Sequence, residues 1–390
     1  MTDDTAHERR ALAGRLADAG VLTTPTLRGA VESVPRELFL KPGVFLPADG
    51  GWQPVPWATA DEATRTQIAY REESLTTQLD GHLTADKVDG LVKGSPTSSS
   101  TTPVTVVSMI EELGLEDGHA VLEIGTGTGY SAALMCHRLG EDNVTTIEVD
   151  PCVAARADAA LETAGFSTWT VTGDGLLGNP RRAPYDRVIA TCAVRRIPYA
   201  WVRQTKPGGI ILTTVGGTWN YGTGLAKVTV NEDGTAEGRI IGRSSFMQAR
   251  SQAPELVSGD LSARVAYADS ERATKVAPSL LTEWMPAFVA QLAAPRAQFT
   301  RARDTDGTAL MYVFDPERES FAHFIAQGDV WKSVRQGGPV PLWDNIEQAL
   351  MAWQEAGSPD ISAVQLRVTD NSHTYWIEGH PALRWQHDLA

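Results

Sequence analysis

Cysteine is scarce in this chain: Cys136, Cys152 and Cys192 are its only three. Their spacing pairs into neither a disulfide framework nor a cysteine-based zinc site, and it fits a reducing, cytoplasmic setting. Positive charge is also in deficit. With 34 basic against 48 acidic side chains the net charge is −14, which argues against a general nucleic-acid binder built on a basic face. No stretch approaches the ~18 uninterrupted apolar residues of a membrane span. The start, Met1-Thr-Asp-Asp-Thr-Ala-His-Glu8, lacks the basic and apolar regions of a secretory leader. His82, His119, His137, His323, His373, His380 and His387 are scattered, and no metal is expected. At 390 residues there is room for two domains or one decorated one.

What is present centres on Ala120-Val-Leu-Glu-Ile-Gly-Thr-Gly-Thr-Gly-Tyr-Ser-Ala-Ala-Leu-Met-Cys136. It reads as a strand, a glycine turn and a helix. Gly125, Gly127 and Gly129 let the backbone approach a ligand and adopt positive φ, and the turn ends where free helix N–H groups collect. The bland alternative is an ordinary tight turn. Two later features favour a nucleotide-like ligand. A second strand, Val144-Thr-Thr-Ile-Glu-Val149, places Glu148 23 residues beyond Gly125, near the ~20-residue spacing at which an acid reaches a ribose hydroxyl. A third strand, Thr170-Val-Thr-Gly-Asp-Gly175, ends in Gly-Asp-Gly.

Along the chain, 8–19 and 26–34 read as helices, and 47–75 as a folded loop rich in Pro, Gly and Trp. The run Gly94-Ser-Pro-Thr-Ser-Ser-Ser-Thr-Thr-Pro103 is either a flexible linker or a loop whose hydroxyls line a site, leading into a helix from Val104. Between 120 and 230 strand and helix alternate, the rhythm of a parallel sheet with crossovers. Asp233-Gly234 turns a hairpin. After about residue 245 the pattern becomes α+β, with a turn at Asp306-Gly307 and six tryptophans: Trp284, Trp331, Trp343, Trp353, Trp376 and Trp385. These are packing residues or an aromatic peptide-binding surface. The expected division is an N-terminal helical and loop segment over 1–95, a core over 96–244 and a C-terminal domain over 245–390.

The three strand-end signals resemble the S-adenosylmethionine site of Rossmann-like class I methyltransferases more than a dinucleotide dehydrogenase. Further motifs narrow this. Val34-Pro-Arg-Glu-Leu-Phe-Leu40, Thr101-Thr-Pro103, Val121-Leu-Glu-Ile-Gly-Thr-Gly-Thr-Gly-Tyr130, Gly173-Asp-Gly175 and Tyr185-Asp-Arg-Val-Ile-Ala-Thr191 occur in that order. Together they are similar to the protein-L-isoaspartate O-methyltransferase family over roughly residues 8–230. The family's substrate-loop serine stands here as Thr101, and its small proline-bearing segment as Cys192-Ala-Val-Arg-Arg196. The long C-terminal part resembles the form that accompanies ATP-grasp ligases in ribosomal peptide (graspetide) maturation.

The resemblance implies an α/β fold with a C-terminal α+β extension and a carboxyl O-methyltransferase. Its cofactor would be S-adenosylmethionine, leaving as S-adenosylhomocysteine, with no metal. The cofactor residues would be Glu123, Gly125, Thr126, Gly127, Gly129, Tyr130, Glu148, Val149, Gly173, Asp174 and Gly175. Glu148 would meet the ribose, Asp174 the adenine amine and Glu123 the ammonium, unless Glu123 only caps the turn. Thr101 would be catalytic. Ser99, Ser100, Thr102, Val194, Arg195 and Arg196 would bind substrate, the arginines being solvated surface groups otherwise. The implied partner is a ribosomal precursor peptide crosslinked by an ATP-grasp ligase, with an aspartate converted through its ester to an aspartimide, and with no nucleic acid or membrane. The alternatives are general isoaspartate repair and a non-catalytic peptide-binding scaffold.

Overall fold

The apolar run after Ala120 forms the strand Val121–Ile124 in the computed structural model of the protein, with every residue buried. Val121, Leu122 and Ile124 supply the apolar side chains that a strand covered on both faces requires, and Glu123 is the one acid among them. It pairs in parallel with Val144–Glu148 on one side and Tyr185–Val194 on the other. Trp169–Thr172 adds in parallel beyond Val144–Glu148, and Thr205–Val215 follows Tyr185–Val194. Strand order therefore reverses at Val121–Ile124, and ligands of open α/β sheets bind at such a switch point, outside the strands' carboxyl ends. Helices Tyr130–Leu139, Pro151–Thr163 and Tyr199–Gln204 make crossovers. The expected Rossmann-like α/β architecture is present.

The structure describes residues 5–388 apart from 218, 220, 255, 256, 258–260, 304–306, 328 and 329; the expected turn at Asp306 falls outside them. Two compact units divide the chain. The first is Met1–Cys192 with Ala200–Leu212, and the second is Ala193–Tyr199 with Thr213–Ala390.

In the first unit the helices Ala6–Asp18 and Pro25–Ser33 stand close to their expected places. The segment 1–95 is more than helix and loop, however. A four-stranded sheet runs in the order Gly51–Pro56, Gly43–Ala48, Leu75–Leu79, Pro96–Ser100, so a boundary at 95/96 would cut it. Its last strand is the hydroxyl-rich run, paired antiparallel with Leu75–Leu79. It is therefore a strand and not the linker or loop its composition suggests, because its partners lie about twenty residues away in sequence. Buried hydroxyls satisfy one another across the strands, Thr77 Oγ1 donating to Ser98 Oγ at 3.2 Å.

The second unit holds the expected hairpin, Gly224–Val230 with Ala236–Arg243. Val364–Val368 then pairs with Ala236–Arg243, Ser372–Ile377 with Val364–Val368, and His380–Asp388 with Ser372–Ile377, all antiparallel. The boundary at 244/245 is thereby corrected: the hairpin shares its sheet with the chain's last strands. A five-stranded sheet follows the order Ser270–Ala273, Val330–Gly337, Ser320–Gln327, Ala309–Asp315, Gln298–Arg303. Helices Trp284–Ala293 and Leu342–Glu355 pack together. Trp343 and Trp353 are buried, and Trp284, Trp331, Trp376 and Trp385 are partly buried. Among the described residues no helix is long and apolar enough to cross a membrane.

Candidate active site

The turn after Val121–Ile124 needs its glycines. Gly125, Gly127 and Gly129 have φ of 92°, 54° and 92°, a region that side chains with a Cβ disfavour. The N–H groups of Gly125 and Thr126 both donate to Ile147 O, at 2.8 and 3.1 Å, which fastens the turn to the end of the neighbouring strand. On the other side Thr191 Oγ1 donates to Gly125 O. A Cβ on Gly129 would lie 3.4 Å from that of Ala157, so the turn also rests on the helix Pro151–Thr163.

Glu148, at the carboxyl end of its strand, closes the turn. Its Oε2 accepts the Gly127 N–H at 2.9 Å and its Oε1 the Asp150 N–H at 3.1 Å. The Glu148 carbonyl accepts from Gly173 N at 2.9 Å, and this brings the Gly-Asp-Gly corner alongside. There Asp174 Oδ1 accepts the Leu176 N–H at 3.0 Å, while Val149, the next residue after Glu148, is 40% exposed. The corner is held by residues that sequence reasoning missed: Trp201, with no exposed surface, donates Nε1–H to Gly175 O at 2.8 Å, and Gln204 Nε2 donates to Leu177 O at 2.8 Å. Gly175 is required by Ile124, whose Cγ2 would stand 2.4 Å from a Cβ there.

Three residues expected at the ligand turn inward instead. Glu123 has no exposed surface. Its Oε1 accepts from Ser131 Oγ and its Oε2 from Thr146 Oγ1 at 2.7 Å. Burial pushes its pKa up to about 7, against the opposing effect of those two hydroxyls. Thr126 joins the same chain, its Oγ1 lying 2.7 Å from Thr146 Oγ1. The Tyr130 ring is buried edge-on against Phe39 at 5.8 Å, with the Arg36 guanidinium 5.9 Å from its centroid. Side chains at the foot of a switch point are drawn into the core when hydroxyl and aromatic partners wait there, and the turn then offers mainly backbone.

The hydroxyl strand reaches the turn: a Cβ on Gly127 would lie 3.6 Å from Ser99 O. Ser99, Thr101 and Thr102 are partly buried, whereas Ser100 is 2% exposed. Thr102 stands at the N-cap position of the helix Pro103–Glu112, without a side-chain cap bond, and its N–H donates to Ser74 Oγ at 3.2 Å. Arg36, within the motif Val34-Pro-Arg-Glu-Leu-Phe-Leu40, is fully buried and bonds to this strand's end. Gln78 Nε2 donates to Asp150 Oδ2 at 3.2 Å, linking the small sheet to the residue that caps Pro151–Thr163.

Val194, Arg195 and Arg196 belong to the second unit. Val194 has no exposed surface, so its side chain is core and not a substrate contact. The backbone N–H groups of Arg195 and Arg196 both donate to Gln252 Oε1, at 2.6 and 3.1 Å. Burial, then the neighbouring Arg196 charge, lowers the Arg195 pKa. Among the described residues no group of His, Cys, Asp and Glu is placed to hold a metal ion.

A model of the family described as protein-L-isoaspartate(D-aspartate) O-methyltransferase matches residues 69–253. A protein-L-isoaspartate O-methyltransferase of Ignicoccus hospitalis is 44% identical over 117 residues, 30% of this chain and 56% of that protein. The chain thus spans only about half the length of the first curated relatives it matches. One from Hyperthermus butylicus is 33% identical over 243 residues, covering 60% of this chain and 84% of that one. A solved structure named protein-L-isoaspartate O-methyltransferase superposes with a TM-score of 0.52 at 20% identity, covering 98% of this chain and 100% of its own. At that identity the likeness is one of fold.

Proposed function

This chain belongs to the protein-L-isoaspartate O-methyltransferase family, and from that premise we propose that it esterifies an aspartyl-type side-chain carboxylate of a peptide, using S-adenosylmethionine. The observation that carries this reading is the cradle itself: three positive-φ glycines, with Glu148 on the Gly127 N–H and the Ser99 backbone against the same glycine. Positive φ at these three glycines keeps the turn free of side chains, so its backbone could come close to a nucleoside and its amino-acid tail, and the residues fit the cofactor. When bound, that cofactor supplies a methyl group already activated by its sulfonium. The chain's own task is placement. Glu148 would hold the ribose hydroxyls, Asp174 the adenine amine, and the hydroxyl of Thr101 one oxygen of the acceptor. The acceptor needs no base, because a carboxyl with a pKa of ~4 is ionised at neutral pH. Alignment and exclusion of water can supply ~7–11 kcal/mol of barrier reduction. Transfer of that methyl to the carboxylate oxygen would leave a neutral ester on the peptide and S-adenosylhomocysteine beside Glu148 and Asp174.

For the substrate we propose one aspartate in a ribosomal precursor crosslinked by an ATP-grasp ligase, with the second unit recognising the constrained peptide. Attack by the next residue's backbone nitrogen on the ester would then expel methanol and close an aspartimide. The departures at Thr101 and Cys192-Ala-Val-Arg-Arg196 support a substrate other than the family's usual one. Repair of isoaspartate is a second reading, favoured by the relatives named protein-L-isoaspartate O-methyltransferase, one 32% identical over 219 residues and one 33% identical over 243; the fold likeness over 98% of this chain also means that a C-terminal region of this kind does not by itself mark maturation. Incubating the protein with either an isoaspartyl peptide or a cyclised precursor separates the two. Methanol release from the first alone would replace maturation with repair. Calorimetry with Glu148→Ala tests the cofactor assignment, which predicts at least a tenfold loss of S-adenosylmethionine affinity in a folded protein; unchanged affinity would remove it.

A further inference from the structure

Arg36 has no exposed surface and, among the described residues, no carboxylate partner; every hydrogen bond it makes runs to neutral oxygen. Its Nη1 donates to Ala69 O at 2.7 Å and Arg71 O at 3.0 Å. Its Nη2 donates to Glu73 O at 3.3 Å, to Ser100 O and Oγ at 3.4 Å each, and to Thr101 O at 3.1 Å. One side of the guanidinium fork thus holds the turn 69–73, and the other shares that turn and holds the end of the hydroxyl strand. We propose that Arg36 is the positioning residue of the acceptor site, setting the two peptide planes that carry Thr101 relative to the glycine turn. The inference rests on the functional reading above, which makes Thr101 the residue that meets the acceptor.

The physical argument has three parts. A trans peptide is planar, so pinning the carbonyls of Ser100 and Thr101 also fixes the direction of the following N–H groups. The Thr102 N–H is already taken by Ser74 Oγ at 3.2 Å, so the segment is clamped from both sides before Pro103 begins its helix. A rigid planar fork can do this across two segments, whereas an ammonium acts from a single point. Burial lowers the Arg36 pKa only to about 10, so the side chain stays charged at neutral pH. Its charge faces carbonyl dipoles, the Ser100 hydroxyl and the Tyr130 ring, and favours an anionic acceptor nearby.

Arg36→Lys is the test, read by hydrogen exchange, calorimetry and kinetics on the full chain. The expected result is that amides of 99–102 exchange at least tenfold faster while those of 121–129 are unchanged. S-adenosylmethionine affinity should stay within about threefold and kcat for the peptide fall on the order of 100-fold, as for a slightly misplaced reactant. A lower melting temperature with normal exchange at 99–102 and normal kinetics in the folded protein would make Arg36 merely structural and overturn the proposal. Should the lysine variant not fold, Ser100→Ala removes one acceptor at a residue too buried to touch substrate. A few-fold fall in kcat at constant cofactor affinity is then expected, and no change overturns the proposal. If the wild-type chain methylates no peptide, the functional reading fails, and hydrogen exchange alone decides the role of Arg36.

Discussion

At the scale of single residues, burial decides what an acid does. Glu123 lies one residue before the end of its strand and Glu148 at the end of the neighbouring parallel one, yet the first is sealed beneath the turn and the second bonds to it. Because burial raises the Glu123 pKa from 4.5 to about 7, the folded state binds that proton more tightly than the unfolded chain. The associated stability is complete below pH ~4.5 and is lost as pH rises through 7, amounting to about 3 kcal/mol at most. Urea unfolding should therefore show the protein less stable at pH 8 than at pH 5, and Glu123→Gln should flatten that difference; an unchanged pH dependence would place the titration elsewhere. Glycines differ in the same way. Gly125→Ala forces a Cβ to φ 92°, 3.1 Å from Thr191 Oγ1, and should cost about 2 kcal/mol. Gly14→Ala, inside the helix Ala6–Asp18 with nothing within 4 Å, should stabilise by about 0.5–1 kcal/mol. Chemical denaturation of the pair checks both signs.

At the scale of elements, the legible ones carried their own signals. The helix Pro151–Thr163 starts with proline behind Asp150, whose Oδ1 accepts the N–H groups of Cys152 and Val153 at 2.9 and 3.1 Å. Asp150→Ala should cost about 1–2 kcal/mol in urea unfolding; a smaller effect would mean the helix is held by its packing alone. The strand Pro96–Ser100 had no such signal. Serine and threonine read as loop until Leu75–Leu79 supplies the ladder and the hydroxyl partners. Likewise the strands Gly43–Ala48 and Gly51–Pro56 are hidden by Pro47, Pro54 and Pro56, which stand on an outer hairpin.

For the whole molecule, the division read from composition misplaces a cut. A chain ending near residue 245 would strip Val364–Val368 from its pairing with Ala236–Arg243 and leave an open strand edge. It should aggregate or lose its second unit, seen by size-exclusion chromatography and circular dichroism. A soluble, cooperative fragment would show instead that the hairpin stands without its partner strands. Removing the region cleanly to test peptide recognition is thus not possible at that point.

Local chemistry determined the parallel core and most of the cofactor cradle: alternate glycines, an acid at the next strand's end and Gly-Asp-Gly are short-range signals, each written in a few adjacent residues. Tertiary structure alone decided which acid faces the turn, that Tyr130 and Val194 are core, that the hydroxyl run is a strand, and that Arg36 reaches Thr101 across 65 residues of sequence. Those outcomes depend on burial and on partners far along the chain, and neither is encoded in the spacing of neighbours.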